Sequence, residues 1–598
     1  MIEGHELRAL MMDVRRGRLS RRAFARLLLA LGITGSATAH LFGAAGRASA
    51  QRAVAPVPSR RGGGGELRLI YWQAPVILNP HLALGVKDRD AGRIFYEPLA
   101  AYDQAGSLVP VLAAEIPSIE GGGVARDGLS VTWRLKRGVT WHDGRPFTAD
   151  DVVFTWEYAA DSASGAISGG LYREIARIEK LDSHSVKVVF GRPTPSWALC
   201  FCGSAGEILP KHVFEPFRTR AREAPANLKP LGTGPYRIVD FKPGDIIRAE
   251  LNTAYHVSNR PFFDRLELKG GGDAVSAARA VLQTGQYDFA WNPAVEDDVL
   301  RRLEQGGKGR VDITPGATVE RILFNFSDPW ADVDGERSSP KTTHPLLGDS
   351  AVRQAMTFLV DRAAIVSEIY GRQGETTPNF LNAPARYRSP NTRWEFGIDK
   401  ANQRLDAAGW RRGPDGVRAR DGKRLRLVFQ TTINAPRQKV QAIVKQACAR
   451  AGIDIEVKAV VASVFFSADP GNNDTYNKFY ADLQMESPPA GSPDPLRRMA
   501  AFHSSGIASK DNRWSGGNVT RWRNEEYDRL WDAAETELDL IKRTAMFIRM
   551  NDLLVQHPVL IPVLLRHVLS AAGTKLRGTD VGPWDSALWQ LPYWYRET

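Results

Sequence analysis

Residues 127–157 read DGLSVTWRLKRGVTWHDGRPFTADDVVFTWE. Leu129, Val131, Trp133 and Leu135 alternate with Ser130, Thr132, Arg134 and Lys136, the two-residue period of a half-buried strand. Asp143-Gly144 supplies a tight turn, so the start of the segment reads as a hairpin. Thr148 stands where a helix N-cap belongs. Asp151, three residues on, completes a capping box and places negative charge in the first turn. Val152, Val153 and Trp156 give the helix that follows an apolar side.

Further along, the local signals alternate between strand and helix. Asp273 caps a helix through Leu282 that stops at Gly285 and leads into Tyr287, Phe289 and Trp291. Another helix begins near Ala351, with Val352, Ala355, Met356, Leu359 and Val360 inward. Residues 425–429 read as a strand and 437–452 as a helix stopped by Gly452. Val440, Ile443, Val444, Ala447 and Cys448 share one face of that helix. Residues 453–457 are a strand again, a unit that favours a right-handed parallel crossover.

The N-terminus reads as an export leader of the twin-arginine type. Ser20-Arg21-Arg22-Ala23-Phe24 precedes an apolar run from Leu27, and Ala48-Ser49-Ala50 offers a cleavage site after Ala50. Thr34, Ser36, Thr38 and His40 interrupt the run, which is too weak for a membrane span. Residues 51–65, with Pro56, Pro58 and four consecutive glycines, read as a flexible tether. The chain is 43% hydrophobic and 24% charged, which suits a protein with large cores. Its formal charge is +12, but the leader holds eight Arg and three acidic residues, so the mature part is near 12 − 5 = +7. That excess is spread along the chain without a basic run interleaved with aromatics, which argues against nucleic-acid binding.

Catalytic and metal signatures are missing from the sequence. It contains no His-Glu-x-x-His, no phosphate-binding Gly-x4-Gly-Lys-Ser/Thr and no Gly-x-Ser-x-Gly. Ser338 and Lys341 match Ser-x-x-Lys but sit in a Pro- and charge-rich loop without a Ser-Asp-Asn partner. Acidic pairs such as Asp150-Asp151 and Asp297-Asp298 read as helix starts. The eleven histidines are scattered, and Cys200 and Cys202 alone make a poor metal site, so no metal or other cofactor is expected. Cys448 reads as a buried thiol; a disulfide to it from Cys200 or Cys202 is the alternative.

The 127–157 segment resembles the family 5 extracellular solute-binding proteins of ABC importers, the group of oligopeptide-, dipeptide- and nickel-binding receptors. That family writes it DG…(W/F)xLRxGVxWHDGxPxTADDVVFSW. ILPKH at 208–212, GTGPY at 232–236, DSAVRQA at 349–355, NEEYDRL at 524–530 and HPVLIP at 557–562 continue the likeness in order. It implies a periplasmic-binding-protein-like α/β fold, two lobes joined by a hinge with an extra domain inserted in the first. Lobe I would comprise 66–110, 231–320 and 561–598, the extra domain 111–230, and lobe II 321–560. The expected function is a periplasmic receptor, monomeric and not an enzyme. It would capture a peptide-like or other polar solute and deliver it to an inner-membrane permease and ATPase complex. A secreted enzyme, sensor or chaperone on the same scaffold is the alternative.

The resemblance also implies site residues. In peptide receptors an extended segment before the (F/Y)-E-x-L motif pairs with peptide backbone; counting back from FYEPL at 95–99 gives Leu84, Gly85 and Val86. Trp291, Trp514 and Asn518 are aromatic and amide candidates for cleft contacts. The acid that pairs with a peptide's amine in those receptors lies four residues before a Pro. Here the matching position is Gly491, before Pro495, and the family's Trp falls on Pro488. Glu486 and Asp494 are the nearby acids that would substitute. Without an acid at Gly491, unmodified di- and tripeptides are expected to bind weakly.

Overall fold

The capping box at Thr148 is formed as the sequence implies. Its hydroxyl accepts from the Asp150 amide, and the Asp151 carboxylate accepts from the Thr148 amide at 2.9 Å, opening the helix Ala149–Ala160. These details come from a computed structural model, which describes residues 58–83, 85–467, 471–487 and 490–597. The leader, its cleavage site, the first part of the tether, Leu84 and Pro488 lie outside the described residues.

Two parts of the first segment differ from expectation. The strand Ser130–Arg134 pairs not across the Asp143-Gly144 turn but with the distant strand Ser185–Phe190, itself flanked by Ile175–Asp182. The turn closes only a small bridge between Thr140 and Pro146. The helix buries Val152, Phe154 and Tyr158, while Val153 and Trp156 stay half-buried. Tyr158 lies in the core of the first lobe, so this helix is gripped from two sides.

Most other elements stand where the local signals put them. Asp273, Asp349 and Asn524 cap the helices Ala274–Leu282, Ser350–Phe358 and Glu525–Thr536 with their side chains. Gly452, at φ 81°, ends Ala435–Ala451 in the left-handed region that a glycine adopts without steric cost. The strands Arg426–Thr432 and Asp454–Val460 on either side of that helix pair in parallel.

Ten strands form one continuous mixed sheet, with Gly374–Thr376 added against Leu560–Gly573. At one end Glu66–Tyr71 lies between Phe289–Trp291 and Arg265–Gly270. At the other, Leu483–Glu486 and Arg426–Thr432 lead to Asp454–Val460. The bridge between them is a long antiparallel ribbon of Gly309–Phe324 and Leu560–Gly573. Its ladder breaks register between Thr314 and Thr318 and again between Glu320 and Arg321, where the strand is free to bend. Gly316 makes this approach feasible: a Cβ there would lie 1.8 Å from the Arg566 carbonyl oxygen.

Separate cores sit at the two ends. One gathers Leu67, Leu69, Phe95, Tyr236, Leu268 and Phe289. The other gathers Ile322, Val352, Met356, Phe429, Val444 and Leu483, with a companion around Phe380, Tyr527 and Phe547. A further core around Trp133, Trp141 and Val186 belongs to the three-stranded sheet. The fold is thus two α/β lobes joined through the ribbon, with an extra β-containing unit beside the first.

The glycines at 62–65, expected within a flexible tether, are instead held. The Gly63 and Gly65 amides donate to Asp264, and Gly62 and Gly64 bond the backbone at 261 and 262. Arg61 adds bonds to the carbonyls of Tyr255 and Val257. All three cysteines are buried and free. Cys200 donates to the Leu171 carbonyl, while Cys448 packs on Met356 in another core, so the alternative disulfide is not formed.

Candidate functional site

The most specific sequence motifs bond one another. The Gly234 amide donates to the Phe95 carbonyl at 2.8 Å, and the Gly232 backbone presses on that same carbonyl. Thr233 donates to Glu97, joining GTGPY to FYEPL. His142 bonds the backbone of Gly232 and Gly234, His212 meets Asp143, and the Lys211 amide donates to Asp151. Glu97 also takes Tyr255 and His256; although burial opposes its charge, His256 holds its carboxyl down at about 2. Four motifs therefore form one polar knot that fixes the first lobe against the extra unit.

The cavity lies away from this knot, beside the ribbon. It encloses about 440 Å³, within the usual range of about 300–1,000 Å³ for small-ligand pockets. Pro80 and Arg89 line it from the first lobe, and Ile167, Ser168, Leu171 and Leu199 from the extra unit. Arg321, Phe380, Tyr476, Gly491, Arg497 and Arg498 line it from the second lobe. Gly170 lets the walls approach: a Cβ there would stand 2.5 Å from Arg497 Nη2.

Arg321 is the buried member of the set. Its side chain is 3% exposed, and its Nε donates to Glu486 at 2.6 Å. The guanidinium also stacks over Phe380 and Phe502 and approaches the Tyr476 hydroxyl. Nη1 has no partner among the described residues. Arg498 donates to the Ala317 carbonyl, inside the ribbon's register break, so a cavity residue is tied directly to the bending point. Burial, reinforced by the nearby Arg321 charge, brings the Arg498 pKa down to about 10. Across the cavity, His81 is buried and depressed to about 4, hence neutral. Its Nε2 donates to the Glu207 carbonyl, so its Nδ1 accepts the Ser168 hydroxyl at 2.6 Å. The Ser168 oxygen thereby keeps its lone pairs for whatever enters.

The residues singled out from sequence are dispersed. Gly491, at φ 75°, lines the cavity. Glu486 stands behind Arg321, already paired. Asp494 is held by Arg543 through two bonds of 2.6 and 3.1 Å. Gly85 and Val86 do not continue an extended segment: Gly85 precedes the helix Val86–Gly92, and Val86 faces outward. Asp88 in the first turn ties Val76 and Lys87, and Arg89, the next residue, lines the cavity. Trp291 is stacked on Tyr71 at 5.2 Å within the first lobe's core. Trp514 lies under the Lys478 ammonium, and Asn518 spends its amide on the carbonyls of Phe502, His503 and Trp522. Neither lines the cavity, but the loop that Asn518 organises delivers Gly517 to its wall.

Ser338 and Lys341 are parted: Ser338 bonds the Phe479 carbonyl and Lys341 pairs with Asp334. Among the described residues no group of three His, Cys, Asp or Glu is placed to hold a metal ion. Nor is any helix among them long and apolar enough to cross a membrane. The sequence reading missed Arg89, Arg321, Arg497 and Arg498. Only Arg497-Arg498, beside the Gly491 loop, carried a local hint.

Residues 107–510 match the family described as bacterial extracellular solute-binding proteins, family 5 Middle. The oligopeptide-binding protein AppA of Bacillus subtilis is 25% identical over 485 residues, covering 80% of this chain and 81% of its own. The glutathione-binding protein GsiB of Escherichia coli is 23% identical, covering 85% and 90%. Among solved structures, AppA in complex with a nonapeptide superposes with a TM-score of 0.71 at 23% identity, over 90% of this chain and 100% of that one. NikZ of Campylobacter jejuni in complex with Ni(L-His) gives 0.71 at 22%, over 89% and 99%. With the family matched across most of its length, on a two-lobed fold with a cavity lined from both lobes, this chain belongs to the bacterial extracellular solute-binding proteins of family 5.

Proposed function

We propose that this protein is the solute-capturing receptor of an ABC importer. It binds one solute in the cavity beside the ribbon and hands it to an inner-membrane permease and ATPase complex. The observation that carries the reading is the cavity itself, whose walls come from both lobes and the extra unit and meet at the ribbon's register break. Closure contacts support it. Arg192 of the extra unit forks onto Glu535 of the second lobe at 2.8 and 2.9 Å, an arrangement that opens when lobes part. The proposed division is 66–110, 231–320 and 561–598, then 111–230, then 321–560, with cores that interlock across it: Phe154, Tyr158 and Phe214 join the first lobe's core, and Ile561, Val563 and Leu564 join the second's. On this reading the leader directs twin-arginine export, is cut after Ala50, and leaves a periplasmic monomer.

The solute lies outside the class of short peptides anchored through a free amine. Gly491 is uncharged, and Glu486 and Asp494 are both engaged by arginines. Calorimetry and solution scattering on purified protein test the receptor reading. A binder present at a hundred times its dissociation constant adds about 2.7 kcal/mol of stability, shrinks the radius of gyration and is recovered unchanged. Chemical alteration of the solute, or no compaction with a confirmed binder, overturns it.

A further inference from the structure

The cavity is strongly one-sided in charge. Arg89, Arg321, Arg497 and Arg498 all line it, and among the described residues no carboxylate does. Glu486 neutralises Arg321 from behind. Among the described residues, Arg89, Arg497 and Arg498 have no carboxylate within ion-pair distance. Arg89 Nε and Arg321 Nη1 are buried polar atoms without a partner among the described residues. Arg498 is anchored through a backbone carbonyl, and Arg173 adds further positive charge near Arg497. Guanidinium groups gathered in excess of their counter-charges repel one another, and desolvating them is unfavourable unless an anion joins them. The opposite wall is apolar, made by Ile167, Leu171 and Leu199, with the Phe380 ring beneath Arg321.

We propose that the solute is a polyanion, carrying at least two carboxylate or phosphate groups on a partly apolar body. Arg497 and Arg498 are its principal specificity determinants, and Arg89 and Arg321 complete the anion cage. Planar, multiply donating guanidiniums match carboxylate and phosphate oxygens in pairs, so the cage selects charge number and spacing rather than one chemical identity. A free ammonium in the ligand is disfavoured here, because it would enter a site of uncompensated positive charge. This inference rests on the receptor reading above and narrows it to an acidic solute class.

The test uses the purified mature protein and named probes. Calorimetry compares triglutamate, N-acetyl-triglutamate, citrate and inorganic pyrophosphate with trialanine and trilysine, at low and moderate salt. At least one acidic probe should bind about tenfold or more tightly than trialanine, and binding should weaken with salt. The citrate and pyrophosphate arms separate carboxylate from phosphate recognition, and N-acetylation should leave affinity intact. Arg497→Gln, at a solvent-facing position, and Arg498→Gln should each weaken that probe about tenfold, with an unchanged melting transition excluding misfolding. Trialanine or trilysine binding as tightly as the acidic probes, or variants that leave affinity unaltered, overturns the proposal. Mass spectrometry of co-purified material separates the two readings. A neutral or cationic solute that compacts the protein leaves the receptor standing and removes the polyanion. No solute together with no binding probe removes both.

Discussion

Glu486→Gln separates two roles for the acid nearest the cavity. If Glu486 awaited a ligand's amine, the substitution would abolish binding and leave the empty protein's stability almost unchanged. The geometry argues otherwise. Glu486 and Arg321 are 2.6 Å apart with side chains 4% and 3% exposed, so the carboxylate's work is to neutralise a buried guanidinium. Removing one partner of such a pair costs about 3–5 kcal/mol, because the other charge stays buried and unpaired. Gln keeps a hydrogen-bond acceptor, and the Phe380 and Phe502 rings still face the cation, interactions worth about 0.5–2 kcal/mol. The expected loss is therefore at the lower end, about 3 kcal/mol. Equilibrium denaturant unfolding with separate probes for each lobe measures it, since a chain of this size need not unfold in one step. An acidic ligand should restore part of the loss by supplying the missing counter-charge. A loss below about 1 kcal/mol, with binding abolished, would refute the assignment.

Three further outcomes follow from other parts of the molecule. Glu207 is fully buried, its carboxylate oxygens have no partner among the described residues, and burial raises its pKa to about 8 against the opposing influence of Arg93. A raised carboxyl contributes stability that is full below its unfolded pKa and lost as pH climbs through the folded one, at about 1.4 kcal/mol per unit. Glu207→Gln should therefore be more stable than the parent at about pH 9 by several kcal/mol and close to it near pH 5, as urea midpoints across that range would record; a pH-independent difference would contradict this. Gly232→Ala, whose Cβ would meet the Phe95 carbonyl oxygen at 1.8 Å, should destabilise by about 3 kcal/mol or more, read as an earlier unfolding of the first lobe. Elemental analysis of protein purified without chelator should find substoichiometric transition metal, and chelation should leave the melting transition unmoved, unless the solute itself carries the metal.

What the sequence determined by itself was whatever acts over a few residues. Thr148 with Asp151, Asp273, Asp349 and Asn524 start helices because a side chain reaches an amide two or three positions on. Gly452 ends one because it tolerates the left-handed turn. The long likeness at 127–157 marked the family because those residues, with GTGPY and FYEPL, build the knot on which the fold depends. The cavity followed another rule. Arg89, Arg321 and the Arg497-Arg498 pair come from three elements, and their charge matters only because the nearby acids went elsewhere. Asp494 went to Arg543, and Glu486 to Arg321. Val86, which the resemblance placed in an extended segment, instead opens a helix, and the tie from Asp88 to Val76, twelve residues back, carries no periodic signature. Which charges remain uncompensated is a property of the folded arrangement, since Coulomb attraction depends on distance in space and not on separation along the chain.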